Sequence, residues 1–111
     1  METLSRLTIE ECGFPEPVLQ YPIQSPVSGR IYRLDMYWPE FDIGGEADGA
    51  IKYREGGAEA ILAEKRREDS IRGSVRSFVR WGWTDAWARE PLRRSLLDAG
   101  LPIVRRPVLL R

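Results

Sequence analysis

Asp35, Glu46 and Asp48 are the three side chains whose types and spacing are best suited to chemistry in this chain. Arg30 to Trp38 reads as a β-strand, Trp38-Pro39-Glu40-Phe41 as a tight turn with Pro at its second position, and Phe41 to Asp48 as the returning strand. If the loop holds two residues, Trp38 faces Phe41, Tyr37 faces Asp42 and Asp35 faces Gly44. Side chains alternate along a strand, so Gly44, Glu46 and Asp48 then share a face with Asp35. Glu46 becomes the diagonal neighbour of Asp35, at roughly 7–8 Å between backbones. Two carboxylates so placed can reach one hard cation, Mg²⁺ or Mn²⁺. Asp48, one step further along the edge, can complete a site that keeps some of the ion's waters, one of them the nucleophile. The competing reading pairs Asp35 with Arg33 or Arg30 and makes Glu46-Ala47-Asp48-Gly49 a polar turn. Gly44 and Gly45 weaken a strand interior, which points to a close approach to the backbone, and a substrate phosphate would fit there.

What the chain lacks narrows the chemistry further. It contains no histidine, and Cys12 is its one cysteine. Histidine general bases, Ser-His-Asp triads, HNH-type nuclease sites and helical zinc motifs are therefore excluded, as are disulfide frameworks and cysteine-ligated zinc built from this chain alone. Carboxylates, lysine and a bound metal are left to do any catalysis. The 111 residues are 42% hydrophobic and 31% charged, which suits one folded domain with one modest core. No apolar run approaches the roughly 20 residues of a membrane helix and no signal-peptide pattern opens the chain, so a cytoplasmic setting without a membrane partner is expected. The zero net charge hides an asymmetry: three basic against nine acidic residues up to Ile51, and fourteen against eight from Lys52 onward. An acidic half beside a basic half suits a protein that gathers carboxylates in one place and touches a polyanion with another.

The elements that must position these residues can be read in order. Residues 2–12 form a helix closed by Gly13, with Pro15 beyond it. Val18 to Gln24 is a strand joined to the Arg30 strand by the Ser25-Pro26-Val27-Ser28-Gly29 turn. Residues 57–73 form a helix with Ala58, Ile61 and Leu62 facing inward and Glu64 to Asp69 solvated. Val75 to Trp81 is a fourth strand, and Thr84 caps a short helix after it. Pro91 opens a last helix that Gly100 ends, and residues 103–110 form an edge strand or a loose tail. Trp81, Trp83 and Trp87 read as core and helix-packing residues. The expected fold class is α/β, a mixed sheet flanked by helices, because the strand after the long helix needs a crossover connection.

Four segments occur in order with fitting separations: Leu34-Asp35-Met36-Tyr37-Trp38-Pro39-Glu40, Gly45-Glu46-Ala47-Asp48-Gly49 with Lys52-Tyr53, Ala63-Glu64-Lys65-Arg66-Arg67-Glu68-Asp69, and Val79-Arg80-Trp81-Gly82-Trp83. Together they resemble the very-short-patch-repair-like branch of the PD-(D/E)XK nuclease superfamily. More closely, they resemble the C-terminal domain of actinobacterial abortive-infection-type antitoxin proteins. The resemblance covers roughly residues 2–99 and leaves 100–111 as a tail. It implies a restriction-endonuclease-like core of helix, three-stranded meander, helix and strand, with Asp35 and Glu46 as the two metal-binding acids and Glu2 as an acid of the first helix beside the metal. The signature lysine would stand at position 48, where this chain has Asp48, and Lys52 is the nearest lysine that could take its catalytic role. Lys65, Arg66, Arg67, Arg72, Arg76 and Arg80 are then the expected phosphate contacts. The implied activity is Mg²⁺- or Mn²⁺-dependent DNA cleavage. Its rival is a catalytically weak module of the same fold that holds DNA or a protein partner in toxin–antitoxin or phage-defence function. A domain this small, without a recognition module of its own, also points to a protein partner or a homodimer for cutting both strands.

Overall fold

A computed structural model describes residues 1–47 and 57–111. Helix α1, Glu2–Cys12, ends at Gly13, whose φ of 86° is left-handed and whose N–H bonds back to the Glu10 carbonyl. The meander follows as β1 (Val18–Gln24), β2 (Ile31–Trp38) and β3 (Ile43–Ala47). Helix α2 (Gly57–Arg72) then leads to β4 (Ser77–Trp81), α3 (Trp83–Ala88) and α4 (Glu90–Asp98). The sheet order is β1-β2-β3-β4, antiparallel through the meander and parallel between β3 and β4. The chain is thus an α/β protein with a four-stranded mixed sheet flanked by helices. Among the described residues no helix is long and apolar enough to cross a membrane.

The turn after β2 differs from the two-residue loop expected. Phe41 N–H does bond the Trp38 carbonyl, but the chain re-enters the sheet only at Ile43, which faces Trp38. Asp42 causes the delay. It adopts φ 52°, accepts the Tyr37 hydroxyl at 2.7 Å, and takes the Arg76 N–H on its carboxylate at 3.0 Å. Burial and the bond to Asp42 push the Tyr37 phenol up to about 12. The register is shifted by two residues, so the paired residues from Trp38↔Ile43 to Met36↔Gly45 keep their expected faces.

Side chains of β3 alternate between two cores. Ile43 joins the larger one, with Met36, Trp38, Val79 and Trp81 of the sheet under α1, α3 and α4. The smaller core, Leu34, Ile71, Val75 and Phe78, lies under the C-terminal end of α2. A Cβ on Gly45 would fall 2.8 Å from the Trp81 ring and 3.3 Å from Trp38, and one on Gly44 would fall 3.0 Å from Leu34. The close approach expected at these glycines is therefore made by core side chains on both faces, which leaves no room there for a phosphate.

Other expectations are corrected too. Ala58, Ile61 and Leu62 are exposed, and Ile71 is the buried residue of α2, so that helix seats on the sheet only through its last turns. Trp81 is buried, but Trp83 and Trp87 stack on each other at the surface, each more than half exposed. Gly82 rather than Thr84 caps α3, its N–H donating to the Asp85 carboxylate at 3.0 Å. The C-terminal residues are neither strand nor loose tail. Val104 and Arg105 donate backbone N–H groups to the Gly13 carbonyl, and Val108 donates to that of Glu11. The strap closes on Glu11, a side chain with 1% exposure that is paired with Arg89 and Arg111 and takes the Leu110 N–H at 2.9 Å.

Two measurements check this packing. Gly45→Ala overpacks the Trp81–Trp38 contact and should lower stability by about 1–3 kcal/mol, seen as a lower denaturant midpoint with unchanged slope. For Glu11, burial pushes the carboxyl pKa up. Its hydrogen bonds from Arg89 and Leu110, with the Arg89 and Arg111 charges, outweigh burial and hold it below the ordinary 4.5. A depressed acid stabilises the fold above its unfolded pKa and loses that effect as pH falls through the folded one. Glu11→Gln should therefore lower the melting temperature most near neutrality, and the difference from the native chain should shrink below about pH 4.5.

Candidate functional site

β2 and β3 pair from Trp38↔Ile43 to Met36↔Gly45 and then part. The next pair would be Asp35 and Glu46, facing directly rather than diagonally. Here β2 follows β1 instead. Gln20, which the β1–β2 register sets opposite Asp35, has φ 51°, a local irregularity that re-aims its neighbours as a bulge does. Leu34 joins the smaller core and Met36 the larger although they are two residues apart, so side-chain alternation breaks between them. The Asp35 carboxylate fills the opening and accepts the Ala47 N–H of β3 at 3.0 Å.

Arg67 of α2 enters the same wedge. Its Nη1 donates to Glu46 Oε2 at 3.1 Å, its Nη2 makes a close ion pair with Oε1, and Nη2 also reaches the Arg33 carbonyl of β2 at 3.4 Å. Glu46 is only 4% exposed, so this bidentate pair compensates a charge that water scarcely reaches. Glu64 lies 3.5 Å from Arg67 and accepts from Arg80 at 2.8 Å, which ties β4 into the network.

Glu2 comes in from α1. The helix is fixed by Ser5 Oγ, which accepts the Trp81 indole N–H at 2.8 Å, and by the Thr8 hydroxyl, which donates to the Ala86 carbonyl at 2.8 Å. Gln20 donates to Glu2 at 3.4 Å and also hydrogen-bonds Asp35, so one amide joins acids from two elements. Burial raises the Asp35 pKa above its ordinary 3.8, with help from the Glu46 and Glu2 charges, while the Ala47 and Gln20 hydrogen bonds hold it partly down. The alternative partners Arg33 and Arg30 do not pair with Asp35: among the described residues it forms no ion pair.

The structure thus brings Asp35, Glu46 and Glu2 into one electrostatic neighbourhood. Asp48 and Lys52 lie outside the described residues, and among those described no three acidic, cysteine or histidine side chains are grouped closely enough to hold one metal ion. The expected phosphate contacts divide. Arg67 is held by Glu46, Arg72 by Glu68 and the Phe78 carbonyl, Arg76 by the Phe41 and Ala99 carbonyls, and Arg80 by Glu64 and Glu68. Lys65 and Arg66 are exposed on α2. Arg66 lines a groove of about 830 Å³ between α2 and the β1–β2 hairpin, with Arg67, Glu64 and Asp69 on the same helix and Arg30 and Tyr32 on the other wall. Sequence reading missed Gln20, Arg30 and Tyr32. Counting back across the Ser25–Gly29 turn sets Gln20 opposite Leu34, one residue from its observed place opposite Asp35, and nothing local marks the groove wall. Cys12 is buried, and burial pushes its thiol pKa up, so it is no nucleophile.

No family model and no solved structure matches the chain. Two curated relatives do: the uncharacterized proteins MT2308 and Rv2248 of two Mycobacterium tuberculosis strains, CDC 1551 / Oshkosh and ATCC 25618 / H37Rv. Each is 37% identical over 67 residues, which is 60% of this chain and 24% of the relative. The matched region therefore spans about a quarter of those proteins.

The raised Asp35 pKa has a sign that can be tested. The folded state binds its proton more tightly than the unfolded chain, so stability falls as pH rises from 3.8 through the folded pKa, and the ionised carboxylate burdens the fold at neutrality. Asp35→Asn should raise the melting temperature at neutral pH and change it little in acid; a destabilised variant at neutrality would contradict the site's electrostatics.

Proposed function

We propose that this domain is a metal-dependent phosphodiesterase acting on DNA, an endonuclease or nickase with a restriction-endonuclease-like core, working in a cytoplasmic setting. The observation that carries the reading is the parting of β2 and β3 at Asp35 and Glu46, which leaves two carboxylates across a wedge where the β2–β3 pairing ends. Oxygen donors of this kind suit Mg²⁺ or Mn²⁺, which takes few protein ligands and keeps its waters, and Glu2 and Asp48 are the further acids available to it. Such an ion would acidify a bound water and neutralise charge building on the scissile phosphate.

The chain's own residues supply position. Ala47 N–H and Gln20 orient Asp35, the backbone of β3 fixes Glu46, and Arg66 and Arg30 in the groove offer charge to neighbouring phosphates. Lys52 is the lysine proposed to stabilise the transition state.

A second reading is favoured by one observation, the bidentate Arg67–Glu46 pair, which already compensates the acid that a metal would use. On that reading the domain binds DNA or a protein partner with little chemistry of its own, in a toxin–antitoxin or phage-defence role. Incubation with supercoiled plasmid separates the two. The enzyme should nick it with Mg²⁺ or Mn²⁺ but not with chelator, and Glu46→Gln should lower the rate by roughly 10²-fold or more while the fold survives. DNA retention without nicking under any metal would leave the binding module.

A further inference from the structure

We infer that Arg67 is the resident counter-ion of the wedge. A divalent cation exchanges with it at Glu46, and the released guanidinium turns into the adjoining groove to hold a phosphodiester. The inference rests on the metal reading above and adds to it a second, mobile cation and the route by which substrate charge enters. Three observations carry it. Arg67 pairs with both Glu46 oxygens and reaches the Arg33 carbonyl of β2, so it already occupies the carboxylate that an ion shared with Asp35 would need. Yet Asp35 forms no ion pair among the described residues, its carboxylate accepting the Ala47 N–H, so the wedge still holds an acid that Arg67 does not pair with. Finally, Arg67 lines the same groove as Arg30, Tyr32 and Arg66, with its guanidinium carbon 5.9 Å from the centre of the Tyr32 ring, and that groove gives a displaced guanidinium somewhere polar to go.

Glu46 trades a singly charged partner for a divalent one that Asp35 shares, while Arg67, still beside Glu64, adds its charge to a groove lined by Arg30, Arg66, Glu64 and Asp69, where a phosphate can match it. Metal and nucleic acid should therefore favour each other's binding, a reciprocity required by linkage.

The test is Mn²⁺ titration by calorimetry on the native chain and on Arg67→Ala, Arg67→Gln and Arg67→Lys, with circular dichroism to show that each is folded. Removing the competing guanidinium should tighten Mn²⁺ binding by about tenfold or more in the Ala and Gln variants, and less in the Lys variant, which keeps the charge but not the fork. A second readout is the salt dependence of binding to a short DNA duplex. With Mn²⁺ present, Arg67→Ala should flatten the slope by about one phosphate contact, and without metal it should not. If the native chain binds Mn²⁺ and folded Arg67 variants bind it equally or more weakly, the exchange is wrong while the metal site stands. If no form binds Mn²⁺, the metal reading fails and takes the exchange with it. An equal flattening with and without metal would overturn the release into the groove.

Discussion

The fold turns on the absence of side chains at Gly44 and Gly45. Because neither carries a Cβ, the Trp81 and Trp38 rings close on one face of β3 while Leu34 and Phe78 close on the other. A thin strand buried on both faces brings α1, α3 and α4 down on one side and the end of α2 on the other. Everything attached to β3 inherits that fixed position, above all Glu46, the next residue along. Interiors are close-packed, so a strand clamped in this way has little freedom to adjust, and the carboxylate at its end is placed by core packing rather than by a loop.

At Glu46 the clamp ends and the sheet opens. The consequences are electrostatic: an acid that is nearly buried, a second acid across the wedge, and a third on α1 linked to the second through Gln20. Arg67 offsets one of these charges, and Glu64 and Glu68 carry the compensation on to Arg80 and Arg72. Much of the charge of the basic half is thus paired within the protein. Four of the six residues expected to meet phosphates are held by protein acceptors, Arg72 and Arg76 among them although both stay exposed, and Lys65 and Arg66 on α2 and Arg30 across the groove are exposed as well.

Local signals explain which parts of this were legible from sequence. Gly13 after a polar helix, Pro91 at the start of another, and the turn formers between β1 and β2 each act within a few residues, and the elements they bound appear where expected. The faces of the residues that pair, Met36, Tyr37 and Trp38 with Gly45, Gly44 and Ile43, survived a two-residue register error because strand periodicity is two. What failed depended on partners far away in sequence. Asp42 delays β3 because Arg76 and Tyr37 bond it, α2 leaves Ile61 and Leu62 exposed because the sheet meets only its last turns, and Trp83 and Trp87 find each other instead of the core. The glycine pair was read correctly as a close approach, but the approaching atoms were tryptophan, leucine and phenylalanine.

The uneven packing of α2 bears on how the wedge can work. Asp35 and Glu46 sit on a sheet with large cores, and Glu2 sits on a helix tied to Trp81 and held at its far end by the C-terminal strap. Arg67 arrives on a helix whose one buried residue, Ile71, lies a turn beyond it, while the preceding turns face solvent. Segments with few buried apolar contacts open at lower free energy than the cores they lean on. Of the charges meeting at the wedge, the acids therefore sit on the more firmly packed elements and the arginine on the less firmly packed one. Glu46 needs a partner, because an unpaired charge at 4% exposure would be strongly destabilising. Arg67 supplies that partner through both carboxylate oxygens, from the element that packing constrains least, which is the arrangement the exchange inferred above would require.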